Sequence, residues 1–177
     1  MNPRESPDVE RVVRDPARLS ALRHSGLLDT PPEEGFDHLT RQAARALSVP
    51  IALVTLVDAE RQFLKSCIGI PEPWASRRQT PLSYSFCKHA LASPQPLIIA
   101  DARCHPLVRD NRSVAEMGVI AYAGAPLVTD DGHVLGTLCA IDTKPRAWTP
   151  AEVETLRAIA AEVTAEIAQY TQSRAES

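Results

Sequence analysis

Residues 120–142 constrain the fold more than any other stretch of this chain. They read as two strands joined at Asp131-Gly132. With those two residues as a type I′ turn, Val128 faces Leu135, Pro126 faces Thr137 and Gly124 faces Cys139. The opposite side then carries Ala125, Leu127, Gly136, Leu138 and Ala140. A hairpin at an edge, or with one wet face, alternates apolar with charged residues. Here both faces are small or apolar, so the pattern predicts a central antiparallel hairpin covered on both sides.

The remaining segments supply the covers. Asp15 and Pro16 read as N-cap and first residue of a short helix that Gly26 closes. A second helix restarts at residues 30–34, carries Phe36, Leu39, Ala43 and Leu47 on one face, and ends at Ser48-Val49-Pro50. Residues 51–57 and 62–68 predict a hairpin. Residues 69–81 hold three prolines and no period, which predicts a loop. Residues 83–92 predict a helix with Phe86, Ala90 and Leu91 on its apolar side, 97–100 a strand, 101–111 turns, and 113–117 one or two helical turns before Gly118.

Thr149, Pro150 and Glu152 form the start of the last helix as a capping box. Its stripe of Val153, Leu156, Ile159, Ala160, Val163, Ile167 and Tyr170 spans about five turns. That is more than a small sheet needs, and the surplus suits a helix shared with a second protomer or leading to a neighbouring domain. The expected organisation is a flexible segment over 1–14, one folded domain over 15–172 with helix 149–172 available for dimerisation, and a tail over 173–177.

Composition narrows the partners. A length of 177 residues fits one domain, and a net charge of −3 offers no basic field for nucleic acid. No apolar run approaches the roughly 18 residues a membrane span requires, and the charged N-terminus lacks the apolar core of a signal peptide, so a cytoplasmic location is expected. Four cysteines, Cys67, Cys87, Cys104 and Cys139, lie far apart without C-x-x-C spacing, which predicts reduced thiols.

Particular segments carry a family resemblance. They are Ala52-Leu53-Val54-Thr55-Leu56-Val57-Asp58 with Arg61-Gln62-Phe63-Leu64-Lys65-Ser66 and Gly69; Ser85-Phe86-Cys87-Lys88-His89-Ala90-Leu91; and Leu97-Ile98-Ile99-Ala100-Asp101-Ala102. Asp110-Asn111, Tyr122-Ala123-Gly124-Ala125-Pro126-Leu127 and Gly132-His133-Val134-Leu135-Gly136-Thr137-Leu138-Cys139-Ala140-Ile141-Asp142 continue the pattern. Over about residues 22–170 the chain resembles the GAF sensor domain of bacterial signalling proteins, found attached to histidine kinases, diguanylate cyclases and phosphatases. No such output is written in this sequence, so either a free-standing sensor or a fragment of a longer protein is expected.

The resemblance implies an α+β fold: an antiparallel sheet of five or six strands, the terminal helices on one face, and a middle helix and loops forming a ligand pocket on the other. It points to Phe86, His89, Asp101, Asp110, Asn111, Tyr122, Thr137 and Cys139 as ligand contacts, although aromatic residues and cysteine in such places are also ordinary core. It further implies a small-molecule ligand of unnamed class, a homodimer through the terminal helices, and an output partner such as a histidine kinase or cyclase. Pocket occupancy would shift residues 83–117, and the sheet would pass that shift to the terminal helices.

Other readings have specific residues against them. As residues two apart on a helix, Cys87 and His89 point to nearly opposite sides and do not readily ligate one ion unless that segment is not helical, while Cys104-His105 lies in another segment. Family members that hold a bilin pigment usually do so through a cysteine followed directly by histidine, and here Lys88 intervenes. A minority of GAF proteins reduce free methionine sulfoxide with thiols; four cysteines keep that enzyme as an alternative. A ligand-free dimerisation or interaction module is another. No Ser-His-Asp order, phosphate loop or acid–base pair is present, so a non-enzymatic role is expected.

Overall fold

A computed structural model describes residues 7–176. Six helices, α1 Pro7–Val13, α2 Pro16–Ser25, α3 Glu34–Leu47, α4 Trp74–Arg77, α5 Arg112–Met117 and α6 Pro150–Ala175, accompany six strands. The strands are β1 Ile51–Val57, β2 Arg61–Ile68, β3 Gln79–Pro81, β4 Leu97–Ile99, β5 Ala121–Val128 and β6 Val134–Asp142. They form one antiparallel sheet in the order β3-β2-β1-β6-β5-β4, an α+β architecture. Every residue of the two central strands, β1 and β6, is buried, as the doubly apolar hairpin requires.

Local chemistry sets several boundaries where expected. Asp15 accepts a hydrogen bond from Arg18 N at 3.1 Å to start α2, and Gly26 ends it at φ 73°. Thr149 and Glu152 close the capping box of α6. The β5–β6 register pairs Pro126 with Thr137 and Gly124 with Cys139, but Val128 pairs with Val134, not Leu135, because a bulge follows Leu127. The connection is not a type I′ turn. Gly132 N donates to Thr129 O at 2.9 Å and Gly132 alone in the turn has positive φ, at 86°, which is a type I turn with a glycine bulge.

Four other segments depart from expectation. Residues 1–6 of the flexible segment lie outside the described residues, while Pro7–Val13 forms α1, with Val9 and Val13 buried. The buried Arg18 guanidinium holds it there, donating to Val12 O at 3.0 Å, Val13 O at 2.8 Å and Val134 O at 3.3 Å. It thereby satisfies carbonyls that the end of a helix leaves open. Residues 69–81 contain α4 and β3, an edge strand in which Pro81 needs no N–H partner. Residues 83–92 are two 3-10 turns, Leu82–Tyr84 and Cys87–Ala90, instead of a helix. The expected tail continues α6 to Ala175, since neither Gly nor Pro stops it.

Two apolar layers sandwich the sheet. Val54, Leu56, Leu138, Ala140 and Ala125 meet Leu22 of α2, Phe36 and Leu39 of α3, and Leu156, Ile159 and Val163 of α6. On the other face Ile51, Leu53, Ile99, Tyr122, Cys139 and Ile141 meet Val9 and Val13 of α1 together with Phe86, Cys87, Leu91, Val108 and Val119. No helix among the described residues is long and apolar enough to cross a membrane.

Candidate functional site: a thiol-floored cavity

The second face encloses a cavity between the sheet and the turns around Phe86. Its walls include Leu53 of β1, Gln62 and Leu64 of β2, Phe86 and Cys87, Ser113 and Met117 of α5, and Tyr122, Cys139 and Ile141. The space inside is about 30 Å³, against roughly 300–1,000 Å³ for pockets that hold drug-sized molecules. It has room for water-sized molecules only.

Cys87 is the centre of the floor. Thr137 Oγ1 donates to its sulfur at 3.0 Å and the Tyr122 hydroxyl at 3.2 Å. Cys139 is a neighbour of Cys87 on the same cavity wall. Thr55 and Thr137 are joined across β1 and β6, with their hydroxyls 3.1 Å apart and Thr137 N donating to Thr55 Oγ1 at 3.2 Å. Burial pushes the Cys87 thiol up, but donors from Cys139, Thr137, Thr55 and Tyr122 outweigh it and hold the thiol below its usual range. Burial and the neighbouring Cys87 push Cys139 well up, and burial does the same to Tyr122. Within the cluster Cys87 is the group that ionises most readily.

Gly124 makes this geometry available. A Cβ there would stand 2.2 Å from the Tyr122 hydroxyl two residues back on the same face, so any other residue would push the phenol off the sulfur. The Phe86 and Tyr122 rings pack with centroids 5.3 Å apart. A second polar chain fixes the turns to the sheet: Ser85 Oγ donates to Gln62 Oε1 at 2.6 Å, Gln62 Nε2 to Thr80 Oγ1 at 3.4 Å, and Lys88 N to Ser85 Oγ at 3.1 Å.

Of the residues expected to touch a ligand, Phe86, Tyr122 and Cys139 line the cavity and Thr137 supports its floor. Asn111 stands one step out: it caps α5 by accepting from Ser113 N at 2.9 Å and donates to Ser85 O at 3.3 Å. His89 is half-buried on the turn Cys87–Ala90 and is not part of the lining. Asp101 caps the turn Ala102–Cys104 and pairs with Arg103, whose guanidinium holds its carboxyl below the usual range. Asp110 is exposed ahead of α5. Sequence reasoning left out Cys87, Thr55 and Gln62 as site members. The available signal was a polar side chain, Thr55, inside the otherwise apolar run Ile51–Val57.

Comparison with known proteins agrees with this architecture. The family model described as GAF domain matches residues 31–167. A cyclic di-GMP phosphodiesterase of Pseudomonas aeruginosa is 38% identical over 131 residues, which are 73% of this chain and 22% of that protein. The chain therefore spans about a fifth of that relative's length. The GAF domain of a phosphoenolpyruvate-protein phosphotransferase from Coxiella burnetii superposes with a TM-score of 0.68 at 18% identity, covering 96% of this chain and 99% of that one. The second GAF domain of DevS from Mycobacterium smegmatis superposes at 0.61 and 18% identity, covering 81% and 97%. At those identities the structural likeness is one of fold, whereas the family match covers most of the chain. The chain belongs to the GAF domain family.

Proposed function

We propose that this chain is a sensory or regulatory module of bacterial signal transduction, in which a change at the thiol-floored cavity is passed through the sheet to the terminal helices and a dimer interface. The observation that carries the reading is the placement of a small cavity on the face opposite α6, under short turns tied to the sheet by side-chain hydrogen bonds and covered by the two-turn helix α1. Such turns yield at lower cost than packed helices. On α6, Ala158, Ala161, Ala165 and Ala168 are exposed at spacings of three and four residues, a face along which a second copy of the helix could lie. The output partner would be a kinase, cyclase or phosphodiesterase domain, in keeping with the relative from Pseudomonas aeruginosa.

The cavity volume favours a second reading, an interaction module whose interior holds only its own side chains. It also counts against the methionine sulfoxide reductase, since a free amino acid does not fit without opening the turns. Native mass spectrometry of gently extracted protein separates the readings: a retained small molecule supports the sensor, and the bare chain mass supports the interaction module. Sedimentation of the wild type and of Ala161→Glu tests the dimer. A wild type that stays monomeric at high concentration removes the α6 interface from the mechanism.

A further inference from the structure

We propose that Cys87 and Cys139 are a peroxide-reactive dithiol, with Cys87 the nucleophile and Cys139 the resolving thiol. Three observations meet here. Cys87 and Cys139 are neighbours on the wall of one small cavity, and both are free thiols. Hydroxyls of Thr137 and Tyr122 converge on the Cys87 sulfur at 3.0 and 3.2 Å, so the thiolate form is solvated by protein. The cavity above them, about 30 Å³, admits a molecule of hydrogen peroxide's size and excludes larger oxidants and thiols. A lowered Cys87 thiol, with Cys139 kept protonated beside it, supplies the ionisation that the two roles need.

The chemistry balances without a further reactant. The Cys87 thiolate attacks one oxygen of hydrogen peroxide, an S–O bond forms and the O–O bond breaks. The departing hydroxide takes up a proton to become water, leaving a sulfenic acid: sulfur has lost two electrons and peroxide has gained them. The Cys139 thiol then gives up its proton and attacks the Cys87 sulfur. The S–S bond forms, the S–O bond breaks, and a second water leaves. In sum, two thiols and one peroxide yield one disulfide and two waters. Closing that bond draws the turn Cys87–Ala90 onto β6, and α1 packs on that turn. The consequence for α1 rests on the regulatory reading above; the thiol chemistry does not.

The test uses the full chain, fully reduced, treated with hydrogen peroxide, quenched by alkylation and mapped by peptide mass spectrometry. Expected are a Cys87–Cys139 cross-linked peptide that forms several-fold faster than oxidation of the exposed Cys104 or half-buried Cys67, a dimedone adduct on Cys87 in Cys139→Ser when the peroxide-treated chain is unfolded into dimedone, and slower cross-linking in Tyr122→Phe. If Cys104 or Cys67 is oxidised while Cys87 and Cys139 stay reduced in the wild type, the proposal is overturned, and this result needs no variant to fold. Hydrogen exchange over Pro7–Val13 before and after cross-linking separates the two levels. A cross-link that leaves α1 unchanged upholds the dithiol and defeats the regulatory reading.

Discussion

The two faces of the sheet share six strands and differ in what covers them. On one, α2, α3 and α6 lay continuous apolar stripes against Val54, Leu56, Leu138 and Ala140. On the other, the two-turn helix α1, short 3-10 turns and α5 form the cover, the turns and α5 are pinned by Gln62, Ser85 and Asn111, and the buried hydroxyls and thiols of Thr55, Cys87, Tyr122, Thr137 and Cys139 are gathered beneath them. Helix burial is non-directional and accumulates stability with area, whereas a hydrogen-bonded cover contributes modestly per bond but places chemical groups at fixed distances. The first face holds the fold, and the second holds the chemistry.

This division can be broken by comparing variants on the two faces. Leu138→Ala, on the helix side and fully buried, should cost roughly 2–5 kcal/mol in urea unfolding. On the helix side too, the buried Lys65 donates to Thr30 Oγ1 at 2.7 Å, Pro31 O at 2.8 Å and the Glu33 carboxylate. Its replacement by alanine should cost about 2 kcal/mol by the same measurement, because three acceptors lose one charged donor.

Tyr122→Phe on the cavity side should cost only about 1 kcal/mol, yet raise the Cys87 thiol titration followed by thiolate absorbance. Gly124→Ala should raise it in the same direction by displacing the phenol. A loss at Tyr122 as large as at Leu138 would dissolve the distinction between the faces. The sign for Cys87 follows from its lowered folded-state value: its contribution to stability is full above the unfolded-state pKa and fades as pH falls through the folded one. The stability difference between wild type and Tyr122→Phe should therefore narrow on acidification.

At the edge of the helix face, Thr149→Ala should cost about 1 kcal/mol by removing the cap of α6. The smallest effect belongs to Glu152, whose carboxyl is held below its usual range by the Thr149 N–H and by Arg146. That contribution is present above the ordinary carboxylate pKa and lost as pH falls through the lowered value, so Glu152→Gln and wild type should converge in stability in acid.

Segments whose ends are written in adjacent residues were legible. Asp15, Pro16 and Gly26 bound α2, and Thr149, Pro150 and Glu152 begin α6, because caps satisfy backbone groups a few residues away. Alternation along 120–142 likewise placed Tyr122, Thr137 and Cys139 on one face. Over residues 83–92 the helical spacing of Phe86, Ala90 and Leu91 predicts a helix, where the structure has two 3-10 turns. There the Ser85 side chain gives its hydroxyl to Gln62, far away in sequence, and accepts from Lys88 N, so the backbone closes in tighter turns.

The sequence by itself determined five of the six strands, the caps and the pairing of apolar faces, since periodicity and capping act over a few residues. Only the tertiary structure decided that Pro7–Val13 is ordered, that Pro81 borders a sheet edge, and that Cys87 and Cys139 share a cavity of about 30 Å³. Those outcomes depend on contacts such as Arg18 with Val134 and Cys87 with Thr137, between residues 116 and 50 positions apart. Their energies appear only once the chain has closed the loops between them.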